Sequence, residues 1–239
     1  MVCVSGVSRP DRQRAGYTML EMLIVIAVIA IVVSIVIPNL ISSRIEANES
    51  AALATLRQIG TAQAHCRTSG FIDVNGNGTG EFAFIGELSG RVGVRTDEVG
   101  GVGSAVLRPS LLTVPEQLAG TMLRSGYYYR MYLPGGTLQP QGEASAGGGS
   151  GVSVNALSAE VMWCCYAWPA SHGISGHRTL FLNQRGDVLA TRNSARRYSG
   201  TTNMPPGSAA FLFGSSGHMA SSVAANATGL DGQFWLVIG

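Results

Sequence analysis

Lysine is missing altogether, and all 16 basic side chains are arginine. Chemistry that needs a lysine, whether a phosphate-gripping P-loop or a Schiff base, is therefore excluded. Charge of either sign is scarce: charged residues make up 13% of the chain and the formal net charge is +2. A dense basic face of the kind that binds nucleic acid is not expected from that balance. Low charge, 46% hydrophobic residues and a mean hydropathy of +0.22 also rule out a disordered chain. There is no Cys-x-x-Cys pair, and His65, His172, His177 and His218 are scattered, which argues against a metal centre. His172 and His177 flank a Gly/Ser turn and read as loop residues. Ser175 and Ser216 lack a Gly-x-Ser-x-Gly setting. No catalytic constellation emerges, and no enzyme activity is expected.

Glycine is abundant, 32 of 239 residues. Such a chain makes many turns around a modest core, and its length allows one or two domains. The hydrophobic residues are concentrated. From Met22 to Ile37 every residue but Ser34 is apolar. As a helix this run reaches roughly 24 Å, a little short of the roughly 30 Å hydrocarbon core. Continuing through Pro38, Asn39, Leu40 and Ile41 makes it just long enough to span. Arg9, Arg12 and Arg14 precede it against one acid, Asp11. That bias keeps the N-terminus cytoplasmic and sends the rest across. A cleaved secretory signal would carry a shorter apolar core and a small-x-small site after it, and neither is present. A plain signal anchor is compatible with the run but has no use for Glu21, a carboxylate at the head of an apolar helix that costs a few kcal/mol in lipid unless paired or protonated.

Downstream, Ile45, Ala52, Leu56, Ile59 and Cys66 recur at helical spacing while Arg44, Glu46, Glu49 and Arg57 lie elsewhere. One helix of about 50 residues is expected from Tyr17 to about Thr68, stopped at Gly70 and bent at Pro38. The segment Asp73-Val74-Asn75-Gly76-Asn77-Gly78-Thr79-Gly80-Glu81 imitates half of a calcium loop. Its twelfth position is Phe84, which excludes an EF-hand. It is read either as a polar Asn-Gly turn or as a calcium site built from Asp73, Asn75, Asn77 and Glu81. Strands are expected over Ser125–Leu133 and Glu160–Pro169, with a hairpin of 177–182 and 188–192. Gly135–Gly151 reads as an exposed, Gly-rich loop, and Ser199–Gly239 stays unassigned. Cys164 and Cys165 are adjacent on a strand and point to opposite faces, so only one can face the helix. A bridge from Cys66 to one of them, three buried thiols, or a metal site all remain open in an oxidising compartment.

The residues Arg14-Ala15-Gly16-Tyr17-Thr18-Met19-Leu20-Glu21-Met22-Leu23 resemble the cleavage and methylation motif of type IV prepilins and type II secretion pseudopilins. A short basic leader, a Gly, an aromatic residue and a Glu at the fifth mature position precede an apolar helix. Most family members carry Phe where Tyr17 stands here, and many have a helix-bending proline where Pro38 falls. The resemblance implies cutting by a prepilin peptidase after Gly16, removal of the leader with Cys3, and N-methylation of Tyr17. It implies that Glu21 pairs with the Tyr17 amine of a neighbouring subunit. It further implies an α+β, pilin-like fold: a leader of residues 1–16, a membrane-spanning and filament-core half of the helix over 17–41, an amphipathic half over 42–69, and a β-rich head over 70–239 packed on that helix. The Ser125-Gly126-Tyr127 strand, the strand ending Ala167-Trp168-Pro169 and the hairpin from Gly176 to Asp187 look like the head of major-pseudopilin-like proteins. The expected role is a non-enzymatic subunit of a type II secretion pseudopilus. The alternatives are a type IV pilin for adhesion, motility or DNA uptake, or a membrane-anchored ligand-binding domain. Expected partners are the peptidase, copies of itself and other pilins, an inner-membrane assembly platform and membrane lipid. Nucleic acid is expected only for a DNA-uptake pilin. No cofactor is required, though calcium is allowed. The expected location is the bacterial inner membrane, single-pass, with a periplasmic head.

Overall fold

The computed structural model describes residues 16–97, 100–101, 116–118 and 120–238. The leader through residue 15, with Cys3 and the arginines that set its charge, lies outside the described residues, as does much of the Val- and Gly-rich stretch before residue 116.

Helix α1 runs from Met19 to Ser69 and continues through Pro38. Proline cannot donate the main-chain bond expected at its position, and the hydroxyls nearby bond to helix carbonyls: Ser34 Oγ donates to Ile31 O (2.7 Å) and Ser42 Oγ to Pro38 O (3.3 Å). The helix ends where expected. Gly70 takes a left-handed φ of 62° and its N–H bonds to Arg67 O, a common glycine stop. Gly80 then passes so close to Arg67 O that any Cβ there would collide with it.

The chain divides into two compact units at Ser42/Ser43. In the first, every described side chain is exposed and the helix is long and apolar enough to cross a membrane. The second has its own core. From Ile45 onward α1 buries Ala52, Leu56, Ile59, Ala62 and Cys66, the stripe that its periodicity predicts. This stripe packs on an antiparallel sheet ordered β1-β2-β3-β5-β6-β7-β9-β8, with β4 beside β3. The strands are β1 (Glu116–Leu118), β2 (Thr121–Arg124), β3 (Tyr127–Pro134), β4 (Pro140–Gly142), β5 (Cys164–Pro169), β6 (Thr179–Asn183), β7 (Val188–Thr191), β8 (Ala227–Thr228) and β9 (Phe234–Val237). Short helices α2 (Ile85–Leu88) and α3 (Ala156–Ala159) lie between them. The architecture is α+β and pilin-like.

Every residue of β5, β6 and β7 is buried, so this sheet has two covered faces. Cys165, Ala167, Leu180, Leu182, Val188 and Ala190 face α1. Cys164, Tyr166, Trp168, Phe181 and Leu189 face the other way, into a cluster with Tyr198, Ala209, Ala210, Phe211, Met219, Ala224 and Trp235. The residues after Ser199 are therefore the second lid of the sheet. Tyr166 anchors it: its hydroxyl donates to Gly207 O and accepts from Ala210 N–H, both at 3.0 Å.

Two expectations are corrected. Residues 160–163 do not extend the second strand. Asn155 caps α3 by accepting Ser158 N–H (2.8 Å), and the N–H groups of Val161 and Met162 both go to Ser158 O. Gly135–Gly151 is not simply exposed. It contains β4, and the Glu143 carboxylate is buried, accepting N–H bonds from Gly86 and Gly148 at 2.7 Å each. A glycine-rich sequence is needed there because a Cβ on Gly148 or Gly149 would meet Val92 or Arg95.

Trp235, fully buried between Tyr166 and Phe181, tests the lid. Trp235→Ala is expected to lower the head's stability by about 3–5 kcal/mol, read by denaturant unfolding. A loss under about 1 kcal/mol would mean that the second face needs no cover.

Candidate functional site

Gly16, Tyr17 and Glu21 lie at the start of α1. Tyr17 is 80% exposed. Thr18 is the last residue before the helix, and Glu21 is the third within it. Glu21 Oε2 accepts from Thr18 N–H (2.8 Å) and from Thr18 Oγ1 (3.0 Å), while Thr18 Oγ1 accepts from Glu21 N–H (3.2 Å). This is a capping box. It satisfies main-chain donors that a helix start leaves open, and it sets a carboxylate at the positive end of the helix dipole. The signal was legible in Thr18-Met19-Leu20-Glu21 as a Thr-x-x-Glu pattern, but reading Glu21 only as a charge in need of a partner missed it.

Three polar anchors fix the head on the lower half of α1. Glu49 accepts N–H bonds from His177 (3.0 Å) and Arg178 (3.1 Å) and pairs with Arg178 Nε. Burial alone would raise its pKa, but those donors and the guanidinium outweigh it and hold the carboxyl below the usual range. Asn48 Nδ2 donates to Ser175 O (2.8 Å). Gln63, fully buried, brackets Ala83: its Nε2 donates to Ala83 O (2.7 Å) and its Oε1 accepts Ala83 N–H (2.9 Å).

The candidate calcium residues are placed as follows. Asp73 accepts N–H bonds from Asn77 and Gly78, and Asn77 Oδ1 accepts from Thr79 N–H. The amides of Asn75 and Asn77 both donate to Glu160 Oε1 at 2.8 Å. Glu81 does not converge with them. It is buried, accepting Val74 N–H (2.8 Å) and pairing with Arg95. Arg95 also pairs with Glu87 (2.8 Å) and lies over the Phe84 ring. Burial raises the pKa of both glutamates, opposed by Arg95. Among the described residues no three His, Cys, Asp or Glu side chains group as metal ligands.

Cys66, Cys164 and Cys165 are not disulfide-bonded. The alternation of β5 puts Cys165 on the α1 side and Cys164 on the far side. Cys66 Sγ lies 3.6 Å from Glu81 O, and burial raises the pKa of Cys164 and Cys165. His172 and His177, which flank the Gly/Ser turn, have their rings 5.4 Å apart.

Residues 11–37 match the prokaryotic N-terminal methylation motif. Residues 37–206, most of the chain, match the profile of a family described as protein of unknown function DUF2950. The chain belongs to that family. This DUF2950 protein is 47% identical over 45 residues to the type IV wide pilus major component PilA4 of Thermus thermophilus, a match covering 19% of this chain and 34% of the relative. It thus spans about a third of the length of that relative. No solved structure matches it. Motif and relative together make this DUF2950 chain a type IV prepilin- or pseudopilin-like protein.

The Glu49 anchor gives a pH test with a defined sign. A carboxyl held below its ordinary 4.5 contributes stability above that pH, and the contribution is lost as pH falls through the folded-state value. Glu49→Gln is expected to cost about 2 kcal/mol at pH 7. The gap from the parent should close below the ordinary carboxylate range. Unfolding curves from pH 7 to 3 decide it, and a gap that persists unchanged at pH 3 refutes the charge-based anchor.

Proposed function

We propose that this chain is cleaved after Gly16 and methylated at Tyr17, and then works as a structural subunit of a type II secretion pseudopilus, assembling through α1. The observation that carries this reading is the pairing of a capped Glu21 with an apolar helix half that buries nothing in the isolated chain. Apolar side chains from Leu20 to Ile41 are exposed and need a second environment, either lipid before assembly or neighbouring helices after it. Both hydrogen bonds that the Glu21 carboxylate accepts fall on Oε2, and its other oxygen suits the cationic amine of a neighbour's Tyr17. The head supports the secretion reading through the order of its strands, from the Ser-Gly-Tyr turn through the Ala-Trp-Pro strand to the hairpin. A type IV pilus is the second reading, favoured by the likeness to a wide-pilus component. In either machine the subunit would lie in the inner membrane with its head on the periplasmic side before assembly. Its partners would be the prepilin peptidase, the assembly platform and other pilins.

Intact mass and N-terminal sequencing of the protein from its native membrane should give a chain starting at N-methyl-Tyr17, absent from a strain lacking prepilin peptidase. Glu21→Ala should abolish filaments while leaving the membrane-bound pool intact, and Glu21→Gln should assemble poorly. A mature chain that still begins at Met1, or an alanine variant that assembles normally, would refute the proposal.

A further inference from the structure

We infer that the head carries a phosphate-binding site, built from arginine and histidine side chains of two loops, that no part of the filament role uses. A hollow of about 340 Å³ is lined by His172, His177, Arg178, Arg192, Ser194 and Arg197. Five of these six side chains are bases. The one carboxylate seen against them, Glu49, is already engaged by Arg178 and two N–H groups. Arg192 and Arg197 make no side-chain hydrogen bond or ion pair with any described residue. His172 Nε2 is shielded from solvent and has no hydrogen-bond partner. Two exposed arginines with no carboxylate against them, beside the unpartnered His172 Nε2, favour an anion in this concavity.

The loop that presents these groups is constructed for it. Arg197 sits in the left-handed region, at φ 50°, and so does Asn193, at φ 54°. An arginine gains nothing locally from that conformation, whereas an asparagine is at home in it. The backbone is held there from several sides. Buried Asn193 brackets Tyr198, accepting its N–H (2.7 Å) and donating to its carbonyl (2.9 Å). Asn203 Nδ2 donates to the carbonyls of Arg196 and Arg197, and Tyr198 OH donates to Asp231. The histidine loop is tied to the same frame, with His172 N–H donating to Ser199 Oγ at 3.0 Å. Strain held in place by its surroundings points to a used position.

The donor set selects the ligand. A carboxylate is satisfied by one guanidinium and a few N–H groups, as Glu49 is by Arg178 Nε and the N–H groups of His177 and Arg178. Arg192, Arg197, two imidazoles and Ser194 line the same hollow, more donors than one carboxylate uses, and such a set suits a tetrahedral anion with three or four oxygens. Arginine is the side chain fitted to this geometry. The hollow leaves room for a substituent on the phosphate. The phosphate group can therefore come as a free ion or as a phospholipid headgroup.

The test uses the full chain in neutral detergent micelles, titrated by calorimetry and phosphorus NMR with two probes, inorganic phosphate and dihexanoyl phosphatidylglycerol. Saturable binding of either supports the site. Binding of the free ion identifies that source, and binding of the diester alone identifies a headgroup. Arg192→Gln, Arg197→Asn and the double variant are expected to weaken binding at least tenfold in combination. Arg185→Gln, the same charge loss in the hairpin turn, should leave it unchanged. Arg197→Asn should also melt at the same or a higher temperature, since it keeps the loop's conformation while removing the base; that separates loss of the site from loss of the fold. Absence of binding by both probes, or equal loss in Arg185→Gln, would overturn the inference.

Discussion

A single helix has to satisfy two unlike surroundings, and the rest of the molecule follows from that constraint. Up to Arg44 the helix buries nothing. From Ile45 it carries a stripe of small and medium apolar residues that must be covered. Alanine at positions 52 and 62 and glycine at 60 let the sheet approach closely: a Cβ on Gly60 would already touch Leu182. Dispersion and burial then supply adhesion without direction. Direction comes from the polar anchors. Gln63 grips one residue of main chain from both sides, and Glu49 grips two consecutive N–H groups. Gln63 holds the irregular stretch before α2 and Glu49 the residues leading into β6, and each loses its bonding pattern if that segment slides along α1 by one residue. The apolar stripe makes the head stick, and the anchors decide where.

The same division of labour holds within the head. The Arg95–Glu81–Glu87 group is buried, where an ion cluster contributes little net stability relative to apolar packing but punishes any arrangement that leaves a charge unmatched. Glu87 accepts Phe84 N–H and Arg95 N–H, and Arg95 reaches Phe82 O. These bonds tie the segment from Glu81 through α2 to the irregular stretch around Arg95. Glycines allow this: the loop around Gly148 can pass beside Glu87 and Val92 only because it has no side chain there. The high glycine content is thus partly a packing device, and composition alone reads it as loop.

How much of this was legible depended on the range of the signal. The apolar run, the helical stripe, the stop at Gly70 and the β6–β7 hairpin are local patterns, with periods of 3.6 or 2, and each appears where the sequence places it. The alternation of Cys164 and Cys165 follows from strand geometry in the same way. What could not be read was long-range. Nothing near Trp235 says that it closes over Tyr166 and Phe181, so the last forty residues look like a tail. Glu81 sits in a calcium-like spacing, yet its place is set by Arg95, fourteen residues on. His172 and His177 read as residues flanking one turn, and nothing near them says that Arg192 and Arg197 line the same hollow.

The start of α1 shows how a local feature changes the reading of a functional one. An isolated carboxylate at the head of an apolar helix is costly in lipid, and that cost alone would drive it toward any cation. The Thr18–Glu21 capping box lowers the drive. Bound by a hydroxyl and an N–H and placed at the positive end of the helix dipole, Glu21 is tolerable in a lone subunit. In the proposed filament, a neighbour's amine would then add to a carboxylate already oriented by its own helix, rather than rescue a bare one. An oriented acceptor rewards one approach more than others. The capped glutamate would therefore contribute less to the total strength of assembly than to its register, and the apolar helix halves would supply the strength.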